Sequence, residues 1–119
     1  MRQIHICEVG PRDGLQNAHH LMPTAAKKAW IASMAAAGIE EIEVGSFVPP
    51  KLIPAMADTA DIVAFSLSIP NLKVVALAPN AKGFERAREV LAGGDVAIAA
   101  HLLGESPEAV ARVAGGGRR

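Results

Sequence analysis

The stretch Trp30-Ile31-Ala32-Ser33-Met34-Ala35-Ala36-Ala37-Gly38-Ile39-Glu40-Glu41-Ile42-Glu43-Val44 holds a helix, its stop and the strand that follows. Trp30, Ile31, Met34 and Ala35 recur at helical spacing and form one apolar stripe. Thr24, after Pro23, is placed to cap a helix beginning at Ala25. Gly38 is placed as its left-handed stop. A strand over Ile39–Val44 follows at once.

The same alternation repeats outward from this unit. Ile4–Val9 reads as a first strand, ended by Gly10-Pro11 and followed by a loop from Arg12 to Pro23. After Val44 come a loop over Gly45–Pro50, a segment broken by Pro54, and a helix over Asp58–Ser66. Lys73–Leu77 reads as a third strand, Ala81–Leu91 as a helix and Asp95–Ala99 as a fourth strand. Pro107–Val113 reads as a last helix, and the Gly/Arg tail Ala114–Arg119 is expected to fray. The order βαβαβαβα predicts an α/β protein with a parallel sheet and right-handed crossovers. Two architectures remain open on this pattern. A doubly wound sheet is complete at 119 residues, whereas an eight-unit β/α barrel takes about 250.

Composition narrows the function. Twelve basic and twelve acidic side chains cancel to a net charge of zero, which leaves no electrostatic footprint for nucleic acid or an anionic membrane. The aromatic residues are three Phe and one Trp, too few for stacking on single strands. A single cysteine, Cys7, excludes an intrachain disulfide and a Cys-rich zinc cage. Met1–Val9 lacks the apolar run of a signal peptide, and no stretch is apolar enough to span a membrane, so the expected location is cytoplasmic. GxGxxG and Walker A loops are missing, and Ser46 has no elbow motif around it.

The chemistry-bearing residues gather at strand C-termini. Pro11-Arg12-Asp13-Gly14-Leu15-Gln16-Asn17 follows the first strand, where parallel α/β folds build their sites. Arg12 offers a fixed cation for a carbonyl oxygen gaining charge, and Asp13 a hard oxygen ligand for a divalent cation. A surface turn with a local ion pair fits the same residues. Along the second strand, Ile42 and Val44 point one way and Glu41 and Glu43 the other. Ile42 and Val44 are expected under the helices and the glutamates on the inner face, with Arg12 the natural partner of Glu43. An edge strand with both glutamates solvated is the alternative. His19-His20 diverge and read as solvated loop; His5 reads as packed or hydrogen-bonded; Cys7, on the same side as His5, reads as a small buried thiol.

The run Glu8-Val9-Gly10-Pro11-Arg12-Asp13-Gly14-Leu15-Gln16-Asn17 resembles the signature of the hydroxymethylglutaryl-CoA lyase family. Glu43-Val44-Gly45-Ser46-Phe47-Val48-Pro49-Pro50-Lys51 resembles its second signature, and Ala78-Pro79-Asn80 with Lys82-Gly83 its third strand and loop. Gly45 stands where that family usually has threonine, and Pro49-Pro50 where it has serine-proline. The likeness runs from Ile4 to about residue 94; residues 95–119 diverge, with His101–Glu105 in place of the expected loop.

The resemblance implies the first three to four units of an incomplete TIM-type (β/α)8 barrel, from a truncated or shifted reading frame or a partial chain. It implies metal-dependent retro-Claisen cleavage of 3-hydroxy-3-methylglutaryl-CoA to acetyl-CoA and acetoacetate, in leucine catabolism, with Mg2+ or Mn2+. Asp13 is implied as a metal ligand, Arg12 as the catalytic group at the enolate, and Gln16, Glu43 and Ser46 as substrate-binding residues. The remaining ligands and the family's catalytic cysteine lie on later strands, and Cys7 is not that cysteine. The expected partners are an acyl-CoA substrate and a second copy or complementary barrel half, because open edges and apolar residues such as Ile4 and Ile6 on the inner face favour self-association. Other readings are another acyl-CoA lyase or synthase of the same superfamily, and a non-catalytic half-barrel remnant.

Overall fold

The computed structural model describes residues 3–91 and 97–99. Expectations for Asp95–Val96, for the loop His101–Glu105, for the helix Pro107–Val113 and for the tail lie outside these residues.

Four strands run β1 (Cys7–Glu8), β2 (Glu41–Ser46), β3 (Lys73–Leu77) and β4 (Ala97–Ala99). All pairings are parallel, and the spatial order follows the chain order. Helices α1 (Thr24–Ala36), α2 (Thr59–Leu67) and α3 (Ala81–Leu91) fill the crossovers. Ile31 of α1, Ile62 and Val63 of α2 and Ala87 of α3 share one core with Ile42, Val44, Val74 and Ala76 of the sheet. All three helices therefore pack on one face. Sequential strand order with a one-sided helical layer is the start of a barrel; a doubly wound sheet reverses direction and is covered on both faces.

Local chemistry sets the boundaries. Helix α1 ends in a Schellman motif: the Gly38 amide donates to the Ala35 carbonyl (3.1 Å) and the Ile39 amide to Met34 (3.1 Å), with Gly38 at φ +102°. This motif consumes Ile39, so β2 begins two residues later than alternation suggests. It also continues further, through Ser46, because the Phe47 amide still donates to the Leu77 carbonyl of β3 (2.7 Å).

Strand β1 is far shorter than the predicted Ile4–Val9. Among the described residues it has a strand neighbour on one side only, and Ile4 and Ile6 are exposed. Cys7 pairs with Glu41 in register, and His5 also reaches Glu41, so odd positions here share the glutamate face. By alternation Ile4 and Ile6 fall on the helix side, not on the inner face as expected.

Helix α1 begins at Thr24 itself, and the hydroxyl of Thr24 does not cap it. That hydroxyl donates to Asp58 Oδ2 (2.7 Å). Lys27, one turn on, is buried, and its Nζ donates to Asp58 Oδ1 (2.6 Å) and to the Ala55 carbonyl (2.6 Å). A buried ammonium is tolerated only when paired and hydrogen-bonded, and here both conditions hold. The network ties the start of α1 to the segment Ala55–Asp58 that leads into α2.

Removing one member leaves the other uncompensated. Lys27→Met is expected to lower the unfolding free energy by about 3 kcal/mol, as for other broken buried pairs. Urea denaturation of the variant beside the parent checks this, with Lys28→Met, at a more exposed ion pair to Asp61 (3.0 Å), expected to change stability by less than about 1 kcal/mol.

Candidate functional site at the C-terminal rim

After β1 the chain does not form an open loop. Gly10–Gly14 is one wide helical turn, in which the Asp13 amide donates to the Val9 carbonyl (2.7 Å). The sequence places a loop after Gly10-Pro11, but here a helical turn starts there. Proline at the start of a helical turn has no amide to satisfy and a suitable φ, so it opens this turn. Leu15, which caps the turn, is buried, and the ring of Trp30 packs against Gly10.

The turn places Arg12 beside the middle of β2, three residues short of its end at Ser46. Arg12 Nε donates to Glu43 Oε1, and Arg12 Nη1 donates to Asp13 Oδ1 (3.3 Å). Glu43 is buried and Arg12 mostly so, whereas the carboxylate of Asp13 is more than half exposed on the rim. The expected partnership of Arg12 with Glu43 is present, and the solvated-edge alternative is not. Asn17 Nδ2 donates to the Asp13 carbonyl (2.9 Å), which steadies the turn. Gln16 is partly buried at the end of the same turn.

Ser46 reaches the site by a detour. Glu43 pairs with Val75, but Gly45 pairs with Ala76 and Ser46 with Leu77, so the register slips by one residue. Strict alternation puts Ser46 on the helix side with Ile42 and Val44. The extra residue of this bulge turns Ser46 to the face of Glu43, Val75 and Leu77. The strand read from the sequence ends at Val44 and leaves Ser46 in a loop; the glycine that follows is a signal for a bulge within a longer strand.

Glu41 lies at the other end of β2. Its carboxylate meets Lys73 Nζ (3.1 Å) and His5 Nε2 (3.3 Å). Burial acts to raise its pKa, but hydrogen bonds from Lys73, Cys7 and His5 and the charge of Lys73 outweigh that and hold it below the ordinary value. Cys7 is the counterpart. Burial, then the hydrogen bond and negative charge of Glu41 and the charge of Glu43, push its thiol up to about 11. Cys7 is only partly buried, not the buried thiol expected, and its raised pKa leaves little thiolate near neutral pH. His19 and His20 are exposed, as expected. Among the described residues, no three His, Cys, Asp or Glu side chains converge as a metal site.

A parallel β/α sheet in sequential strand order, with its described helices on one face, is part of a TIM-type barrel. Comparison with known proteins specifies the class. The HMGL-like family model matches residues 3–104, and the chain belongs to that family. It is 47% identical over 88 residues to the 3-hydroxy-3-isohexenylglutaryl-CoA/hydroxymethylglutaryl-CoA lyase of Pseudomonas aeruginosa, an alignment covering 74% of this chain and 29% of that one. It is 45% identical over 86 residues to the mitochondrial hydroxymethylglutaryl-CoA lyase of Mus musculus, covering 72% and 26%. The crystal structure of the Pseudomonas aeruginosa hydroxymethylglutaryl-CoA lyase superposes with a TM-score of 0.71 at 45% identity, over 81% of this chain and 32% of that one. An Acinetobacter baumannii HMG-CoA lyase, solved with coenzyme A and 3-methylmalate, gives 0.67 at 38%, over 72% and 28%. The chain thus spans less than a third of the length of these relatives, and its fold is a partial barrel.

The raised thiol of Cys7 has a kinetic signature. Its ordinary value is 9.0, so a value of about 11 cuts the thiolate fraction at pH 8 about a hundredfold relative to the unfolded chain. Because a more basic thiolate is also more nucleophilic, iodoacetamide is expected to alkylate native Cys7 at least about tenfold more slowly than the urea-unfolded chain at that pH.

Proposed function

We propose that this chain is the N-terminal portion of a hydroxymethylglutaryl-CoA lyase barrel whose complete form cleaves 3-hydroxy-3-methylglutaryl-CoA to acetyl-CoA and acetoacetate in leucine breakdown, in the cytoplasm, and that the 119-residue chain alone is inactive because it carries only part of the required groups. The observation that carries the reading is the contact between Arg12 and Glu43. It brings together two residues implied by the family signatures, one from the turn after β1 and one from β2, on the side where such chemistry belongs.

Retro-Claisen cleavage takes a proton from the tertiary hydroxyl, breaks the adjacent carbon–carbon bond and leaves an enolate on the thioester fragment. Arg12 is assigned to that enolate oxygen. Of its five N–H donors, one is engaged by Glu43 and one by Asp13, which leaves a fork for an incoming oxyanion. Glu43 holds the guanidinium plane, and Gln16 and Ser46 line the pocket. Asp13 is exposed on the rim and fits a place in the ligand set of a divalent cation, Mg2+ or Mn2+. Such an ion, when bound, supplies Lewis-acid stabilisation to substrate oxygens. A base for the hydroxyl proton and the other ligands are assigned to strands that the relatives carry beyond the aligned region. The edges of β1 and β4 are assigned to a complementary barrel half or a second copy of the chain.

The test is a barrel carried to the relatives' length. Arg12→Lys is expected to lower turnover at least a hundredfold with little change in KM, because lysine lacks the planar fork. Asp13→Asn is expected to raise the Mn2+ dissociation constant at least tenfold. An Arg12→Lys enzyme with undiminished turnover removes Arg12 from this role.

A further inference from the structure

We infer that Thr59, the first residue of α2, is the positioning residue for Ser46, and that Gly45 and Thr59 form a matched pair that holds the β2 bulge. The inference rests on the reading of Ser46 as a pocket residue; the geometry beneath it does not.

A bulge has a cost at its own backbone. Slipping the register between Glu43 and Gly45 interrupts the ladder and leaves polar groups to be satisfied elsewhere. At Ser46 one side chain meets that need. Its amide donates to Thr59 Oγ1 (3.2 Å), and its carbonyl lies 2.9 Å from the same oxygen. The Met56 carbonyl, at 2.7 Å, shares the single hydroxyl proton. Thr59 is almost completely buried, so water does not replace it there.

Thr59 also occupies a specific volume. A Cβ built on Gly45 falls 2.8 Å from both Cγ2 and Oγ1 of Thr59 and 3.2 Å from its Cβ. These are closer than side-chain carbons approach. The hydroxyl can reach the Ser46 backbone only because position 45 carries no side chain. The two residues are fourteen apart in sequence, yet each fixes what the other can be.

Thr59 is in turn anchored. Its neighbour Asp58 receives Thr24 and the buried Lys27, which sets the start of α2 against α1. A continuous path runs from α1 through Asp58 and Thr59 to the bulge. Its effect is to present Ser46 on the face of Glu43.

Native-state hydrogen exchange on the full 119-residue chain reads this directly. Thr59→Val keeps the shape and removes the hydroxyl. It is expected to speed exchange of the Ser46 amide at least tenfold, while the Ile42 and Val75 amides change less than threefold. Thr59→Ser, which restores the oxygen, is expected to keep the Ser46 amide within threefold of the parent. An unchanged Ser46 amide in Thr59→Val, or equal acceleration of all three amides, overturns the inference. A second arm covers loss of folding by either variant. Gly45→Ala is expected to lower the urea midpoint, and adding Thr59→Ala to recover at least half of that loss. Additive losses overturn the matched pair. Neither arm measures turnover, so failure here is distinguishable from failure of the lyase reading.

Discussion

A buried carboxylate needs a cation, and in this chain that requirement organises the rim. Glu43 points to the face of the sheet away from the helices, where it is removed from water. Arg12 answers it from a separate element, thirty-one residues earlier. Because Arg12 is mostly buried too, the pair constrains backbone and not only side chains. It pins the Gly10–Gly14 turn to the middle of β2, and that turn carries Asp13 and leads directly into Gln16. A cation placed elsewhere would leave Glu43 uncompensated and the turn unanchored.

The opposite face follows different physics. Ile42, Val44, Val74 and Ala76 pack against Ile31, Ile62, Val63 and Ala87, and this apolar layer holds the three helices on one side. Two polar devices inside that layer serve the rim. Asp58 gathers Thr24 and Lys27, and Thr59 satisfies the backbone that the bulge disrupts. Stability on the helix side and geometry on the functional side meet at the first residue of α2.

Much of this was legible in the sequence because it follows from periodicity. Lys73–Leu77 and Ala81–Leu91 fall where alternation and helical spacing place them. The inward direction of Glu41 and Glu43, and the pairing of Arg12 with Glu43, follow from period-two geometry and the cost of a buried charge. The misses have particular causes. Ile4–Ile6 has strand propensity, but an edge with one neighbour forms only the short ladder at Cys7–Glu8. Gly10-Pro11 looks like a terminator, and proline at the head of a helical turn is the exception. The side chain of Thr24 has a tertiary partner, which no local capping rule foresees. The orientation of Ser46 depends on a bulge whose stabilising group, Thr59, is remote along the chain, so no window of sequence contains the interaction.

A double-mutant cycle on Arg12 and Glu43 tests the central constraint most directly. Arg12→Met, Glu43→Gln and the double variant are compared with the parent by urea denaturation. If the pair anchors the rim, each single change destabilises, the double change costs less than their sum, and the coupling is about 2 kcal/mol or more. Additive effects, with a coupling below about 0.5 kcal/mol, would place Arg12 and Glu43 among ordinary surface ion pairs and contradict the account.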